Sequence, residues 1–251
     1  ILSGDIAGND DPNVIPITNT SNKADNVNHV VSIENSANTI LDGLTVQFGF
    51  ANGGGVNSLG GGIRIYKSSS NNINNITLLN NFASSGGGIS IEDHSPTTIT
   101  NAILSKNGTT TAGGGIYNSS YSATTVKNSV FSDNRSAIGA AIYNQAGSSM
   151  TITNTSFSNN ISPGGIKGSI SNEAFGITTT LTIKNSILWD NNSAGSISNN
   201  GGSVNVSNSI VQGGYTGTGN SSSDPLFANA SDIDGLDNIL MTSDDGLNLA
   251  P

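Results

Sequence analysis

The chain repeats itself at a nearly fixed interval, and that period constrains its fold more than any other feature. Gly60-Gly61-Gly62-Ile63 returns as Gly86-Gly87-Gly88-Ile89, Gly113-Gly114-Gly115-Ile116 and Gly139-Ala140-Ala141-Ile142, then more loosely at Ile170 and Ile197. These Ile positions are 26, 27, 26, 28 and 27 residues apart. A second marker, an apolar residue followed by any residue and then Asn, occupies Ile73-Asn74-Asn75, Ile99-Thr100-Asn101, Val126-Lys127-Asn128 and Ile152-Thr153-Asn154. It continues at Ile183-Lys184-Asn185 and Val206-Ser207-Asn208. In the first four repeats Ile and Asn are always 12 residues apart. Three residues beyond each Asn stands a third column, Leu78, Leu104, Phe131, Phe157, Leu188 and Val211. Most of these are followed by a further Asn, at 81, 107, 134, 160 and 191.

Each repeat thus holds three short apolar pulses separated by Gly or Asn turns. Within a pulse the pattern alternates, as in Thr151-Ile152-Thr153, which is the period of a strand. Helix is disfavoured throughout, because the 32 glycines and the abundant Asn, Ser and Thr are poor helix formers. The expected fold is all-β: a right-handed, single-stranded parallel β-helix with three short strands per coil and 26–28 residues per coil. One coil cannot bury its own apolar face, but stacked coils place like residues above like, about 4.8 Å apart. Strand twist favours the right-handed winding. Asn101, Asn128 and Asn154, spaced by one coil, are expected to stack as an inward ladder whose amides satisfy one another. A single domain over 1–251 is expected, with capping coils at 1–42, regular coils at 43–223 and an acidic capping segment at 224–251.

The Gly-Gly-[Gly/Ala]-Ile turn, paired with Phe131-Ser132-Asp133-Asn134 and Phe157-Ser158-Asn159-Asn160, resembles the repeats of the polymorphic outer membrane proteins. It is similar more broadly to secreted bacterial parallel β-helix repeat proteins, over roughly residues 40–212. That resemblance implies a secreted or cell-surface protein of adhesin type. The chain departs from the outer-membrane family in carrying no translocator barrel, so self-transport is not implied. The far end resembles the closing segment of many secreted β-helix proteins, in which the chain runs on; Pro251 is compatible with a cut.

Charge narrows the partners. Seventeen acidic against eight basic residues give a net charge of −9, which supplies no basic surface for nucleic acid and repels polyanions unless a metal bridges them. There is no Cys, hence no disulfide framework, thiolate metal site or cysteine nucleophile. No stretch approaches the ~20 apolar residues of a membrane span. Beginning at Ile1, the chain reads as a mature or excised piece. The acidic residues gather at the two ends, and Asp232-Ile233-Asp234-Gly235-Leu236-Asp237 with Asp244-Asp245 is the oxygen-rich, Gly-turned type of segment that suits calcium. Asp232, Asp234, Asp237, Asp244 and Asp245 form the pool of candidate ligands. Asx-type turns explain the same residues without a metal.

Candidate acids and bases are few. His29 and His94 are the only histidines, Arg64 and Arg135 the only arginines. Arg64 falls one coil before Glu92-Asp93-His94, so these four form the one plausible catalytic cluster, against the plainer reading of a solvated strand end. A lyase needs a base and a charge neutraliser converging in a groove, and a glycosidase needs two facing carboxylates. Neither constellation stands out. Tyr66, Tyr117 and Tyr143, with Trp189, suggest an exposed strip for sugar stacking, Tyr117 and Tyr143 on one outer face. An outward Thr column, Thr98, Thr125, Thr151 and Thr182, resembles an ice-binding array, but the next column (Thr100 and Thr153) is interrupted by Lys127 and Lys184. The leading expectation is a non-catalytic extracellular or cell-surface β-helix, an adhesin or stalk module meeting glycans or other surface molecules. The alternatives are a carbohydrate-active enzyme and an ice-binding protein. End-to-end self-association through the terminal coils is a further expected contact.

Overall fold

The computed structural model of the chain describes residues 1–12, 22–163, 168–189, 191 and 195–227. The calcium pool at Asp232, Asp234, Asp237, Asp244 and Asp245 lies outside the described residues. Short parallel strands stack coil on coil into three long sheets of eight, seven and seven strands. The anchor Ile begins the strand of one sheet (the Ile sheet), running from Val31–Glu34 through Ile63–Tyr66 to Ile197–Asn200. The second (the Thr sheet) runs from Ile40–Asp42 to Ser203–Ser207, and the third (the Phe sheet) from Leu2–Ser3 to Ile210–Val211. A short fourth sheet of Phe50–Ala51, Phe82–Ser85 and Gly108–Ala112 adds a side that the apolar pulses did not announce.

Register follows the sequence columns. Ile63, Ile89, Ile116, Ile142, Ile170 and Ile197 pair in succession, as do Leu78, Leu104, Phe131, Phe157, Leu188 and Val211. The side chains of these columns make one continuous core. Phe131 lies on Phe157 with ring centroids 4.8 Å apart, the separation of neighbouring strands. Close stacking also explains the third Gly of the turn. A Cβ on Gly115 would stand 2.6 Å from the Ala141 carbonyl oxygen and 3.0 Å from the Phe131 ring. The Ile sheet begins at Val31, which pairs with Ile63 across a longer interval that accommodates the 3-10 turn Gly55–Ser58.

The Asn ladder exists, but its direction is a correction. Asn101, Asn128 and Asn154 do stack in one column, with Nδ2 of each donating to Oδ1 one coil earlier at 3.1, 3.4 and 3.2 Å. They are exposed, not inward. Each sits at positive φ (53°, 48° and 53°), so the chain turns a corner there and carries the side chain outward. The inward ladder is the other Asn column, Asn81, Asn107, Asn134, Asn160 and Asn191, linked at 2.9–3.1 Å. A second inward ladder joins the buried Asn118, Asn144 and Asn172 and ends at the exposed Asn199.

Candidate functional site

The four residues of the sequence-derived cluster divide into two groups. Arg64 and Glu92 lie on the outer face of the Ile sheet, where Ser32, Arg64 and Ser90 form one column and Glu34, Tyr66 and Glu92 the next. Arg64 is only 2 % exposed. Its guanidinium hydrogen-bonds Glu34, lies 3.6 Å from Glu92 and covers the Tyr66 ring at 4.9 Å. The Ser32 and Ser90 hydroxyls donate to Glu34 and Glu92 at 3.1 and 2.7 Å. Burial pushes the Glu92 carboxyl up, against the downward pull of Ser90 and Arg64. Arg64 is thus held between two carboxylates across three coils, and this arrangement locks the coils together. A guanidinium so enclosed cannot reach out to neutralise a substrate anion.

Asp93 and His94 belong to the turn beyond the strand. Asp93 Oδ2 lies 3.5 Å from Lys67 Nζ, and Asp93 Oδ1 2.8 Å from His94 Nδ1. The bond from His94, followed by the attraction of Lys67, holds the Asp93 carboxyl below its ordinary value despite partial desolvation. The His94 ring stacks on Tyr121 one coil below, centroids 5.2 Å apart and planes within 18°. Both rings are exposed. Lys67, Asp93 and His94, with Asn35, Ser36, Ala37 and Ser69, line an open groove of about 590 Å³.

This corner stands on a Ser column that the sequence reading missed. The hydroxyls of Ser68, Ser95, Ser122 and Ser148 accept from the backbone N–H of Ser36, Ser68, Ser95 and Ser122, at 3.0–3.2 Å. The signal was available, since these serines recur at 27, 27 and 26 residues.

The tyrosine strip is also corrected. Tyr117 and Tyr143 stack at 5.9 Å on one outer face as expected, but Tyr143 is buried and Tyr117 half-buried, as are Tyr66 and Trp189. Burial raises both hydroxyls, that of Tyr143 strongly. The Thr column Thr98, Thr125, Thr151 and Thr182 is continuous over four coils. Lys127 and Lys184 interrupt its neighbour. Among the described residues no group of three or more His, Cys, Asp or Glu could hold a metal ion, and no helix is long and apolar enough to cross a membrane.

No curated protein and no solved structure matches the chain. The family model described as a right handed beta helix region matches residues 61–231, more than half of the sequence, and takes in the described coils from Ile63 onward. The chain therefore belongs to the right-handed β-helix family.

Proposed function

We propose that this protein is a non-catalytic β-helix of the extracellular or cell-surface space, an adhesin-type module that presents binding groups along a rigid solenoid. The observation that carries this reading is the enclosure of Arg64 between Glu34 and Glu92. It occupies the one arginine that could have joined Glu92, Asp93 and His94 in acid–base work. What remains accessible at that corner is a stacked His94–Tyr121 pair beside Lys67 and Asp93. These are groups that bind: the one lysine and the one carboxylate lining the groove, Lys67 and Asp93, are 3.5 Å apart and paired with each other, and no second carboxylate faces Asp93 among the described residues of that lining. The resemblance of the Gly-Gly-[Gly/Ala]-Ile and Phe-x-x-Asn repeats to surface adhesins supports the same reading.

The test is turnover. Pectin, alginate, chondroitin and neutral glucans incubated with the protein are expected to yield no unsaturated or reducing ends. Turnover that vanishes in Arg64→Ala or His94→Ala refutes the reading and favours a carbohydrate-active enzyme. Adhesion of protein-coated beads to glycan-bearing cell surfaces is the complementary positive measurement.

A further inference from the structure

The groove above His94 arises from a shift in turn geometry between consecutive coils. In the first two coils a single residue, Asn35 or Lys67, separates the end of the Ile-sheet strand from the serine of the column, the half-buried Ser36 or the buried Ser68. In the next three coils two positive-φ residues immediately precede the serine: Asp93-His94, Ser120-Tyr121 (there with Ser119 also between strand and turn) and Ala146-Gly147. Every one of these turn residues except Ser36, Ser68 and Ser119 has positive φ, including the adjacent pairs Asp93 and His94 (53° and 57°) and Ser120 and Tyr121 (55° and 62°). The early coils instead place their second such residue after the serine, at Asn38 and Ser70. The protruding turn therefore begins at His94, whose exposed side chain borders the groove lined by Lys67 and Ser69 of the coil before it.

The consequence is a ledge. The lower face of His94 rests on Tyr121, and Tyr121 rests on Gly147. A Cβ at Gly147 would come within 2.8 Å of the Tyr121 ring and 2.9 Å of Ile177, so only glycine lets the ring lie flat against the backbone. The other side of His94 borders the open groove. Its rim alternates hydrogen-bonding character: the Asp93 carboxylate accepts, Lys67 donates, and Asn35, Ser36 and Ser69 do both.

We infer that this ledge is a binding subsite for one neutral pyranose ring, stacked on His94 and hydrogen-bonded through its hydroxyls to Asp93, Lys67 and Asn35. A pyranose offers an apolar C–H face and a hydroxyl edge, which match an aromatic face bounded by mixed donors and acceptors. A phosphate or uronate would meet the Asp93 carboxylate, to which Lys67 is already paired at 3.5 Å, and a chain of net charge −9. A purely apolar ligand would leave the rim groups unsatisfied. The inference rests on the non-catalytic reading above, because a ledge of this kind holds a sugar without a group placed to cleave it.

The experiment follows the His94 ring protons by NMR while methyl gluco-, galacto- and mannopyranosides are titrated into the intact chain, with inorganic phosphate and adenosine as separate arms. At least one pyranoside is expected to give a saturable shift at His94. His94→Asn keeps a residue that tolerates positive φ while removing the ring, and is expected to weaken binding at least tenfold, as read by saturation transfer to the sugar. His94→Phe is expected to restore it, since Tyr121 shows that an aromatic residue is accommodated at this backbone conformation. Lys184→Ala, on the Thr sheet, leaves binding unchanged. The inference is overturned by the absence of any pyranoside shift at His94, by undiminished binding in His94→Asn, or by a saturable response to phosphate or adenosine alone. Release of reducing ends from an oligosaccharide would instead refute the non-catalytic reading, whatever happens at His94.

Discussion

Replacing Asn134 separates the two Asn columns energetically. Asn134 is fully buried. Its Oδ1 accepts from the backbone N–H and from Nδ2 of Asn107, both at 3.1 Å, and its Nδ2 donates to the Leu104 carbonyl at 2.8 Å and to Asn160 Oδ1 at 2.9 Å. Asn134→Ala strands the Asn107 backbone N–H and one hydrogen of the Asn107 amide in the core, and leaves the Leu104 carbonyl with its ladder bond alone. Asn160 Oδ1 keeps the backbone N–H of Asn134 at 3.3 Å. At ~1–3 kcal/mol for each stranded group, the expected loss is about 4 kcal/mol, a large share of the ~5–15 kcal/mol that holds a domain folded. Asn128 has the same ladder bonds in solvent, where water replaces them. Asn128→Ala is expected to cost only ~1 kcal/mol, from placing alanine at positive φ, and Asn128→Gly close to nothing, because glycine is free to adopt that backbone conformation. Urea unfolding followed by far-ultraviolet circular dichroism provides the comparison, with slopes checked for equality before midpoints are compared. An Asn134→Ala midpoint no lower than that of Asn128→Ala would refute the assignment of the inward ladder.

Other expected outcomes follow from packing and from titration. Phe131→Ala removes one member of the stacked pair in the core and is expected to cost about 4 kcal/mol in the same assay. Gly115→Ala drives a methyl group into the Ala141 carbonyl and is expected to lower the melting temperature, whereas Gly54→Ala, at φ −91° with nothing within 4 Å of its Cβ, is expected to change it far less. Burial raises the Glu92 carboxyl above its ordinary 4.5, so the folded chain binds that proton first. The Glu92 contribution to stability therefore rises as pH falls from the raised value to about 4.5, and Glu92→Gln is expected to flatten this part of a melting-temperature profile. Burial lowers His29 below its ordinary 6.5, although its Nδ1 lies 3.0 Å from the Gly60 carbonyl. Here the unfolded chain binds the proton first, so stability falls as pH drops from 6.5 to the lowered value, and His29→Gln is expected to remove that slope.

The columns of the core were legible because a parallel solenoid stacks identical positions, so any residue the core requires must recur at the coil length. Ile63, Ile89, Ile116 and Ile142 and the Leu/Phe column were read in correct register on that ground alone. Period alone does not separate inside from outside. Asn128 stands two residues after the buried Val126, and strand alternation places it inward. Its positive φ ends the strand and turns the side chain out. The sequence carries that information only as the preference of Asn for such corners. The ledge at His94 was hidden by a different compensation. Ile63 to Asn75 and Ile89 to Asn101 both span 12 residues, because the second positive-φ residue moves from after the buried serine, at Ser70, to before it, at His94. Equal repeat lengths conceal the change, whereas the column Ser68, Ser95, Ser122 and Ser148, read against the Ile column, exposes it. In a solenoid the core positions hold the coil length constant, so variation of turn shape within that length is where a binding feature can be built without disturbing the stack.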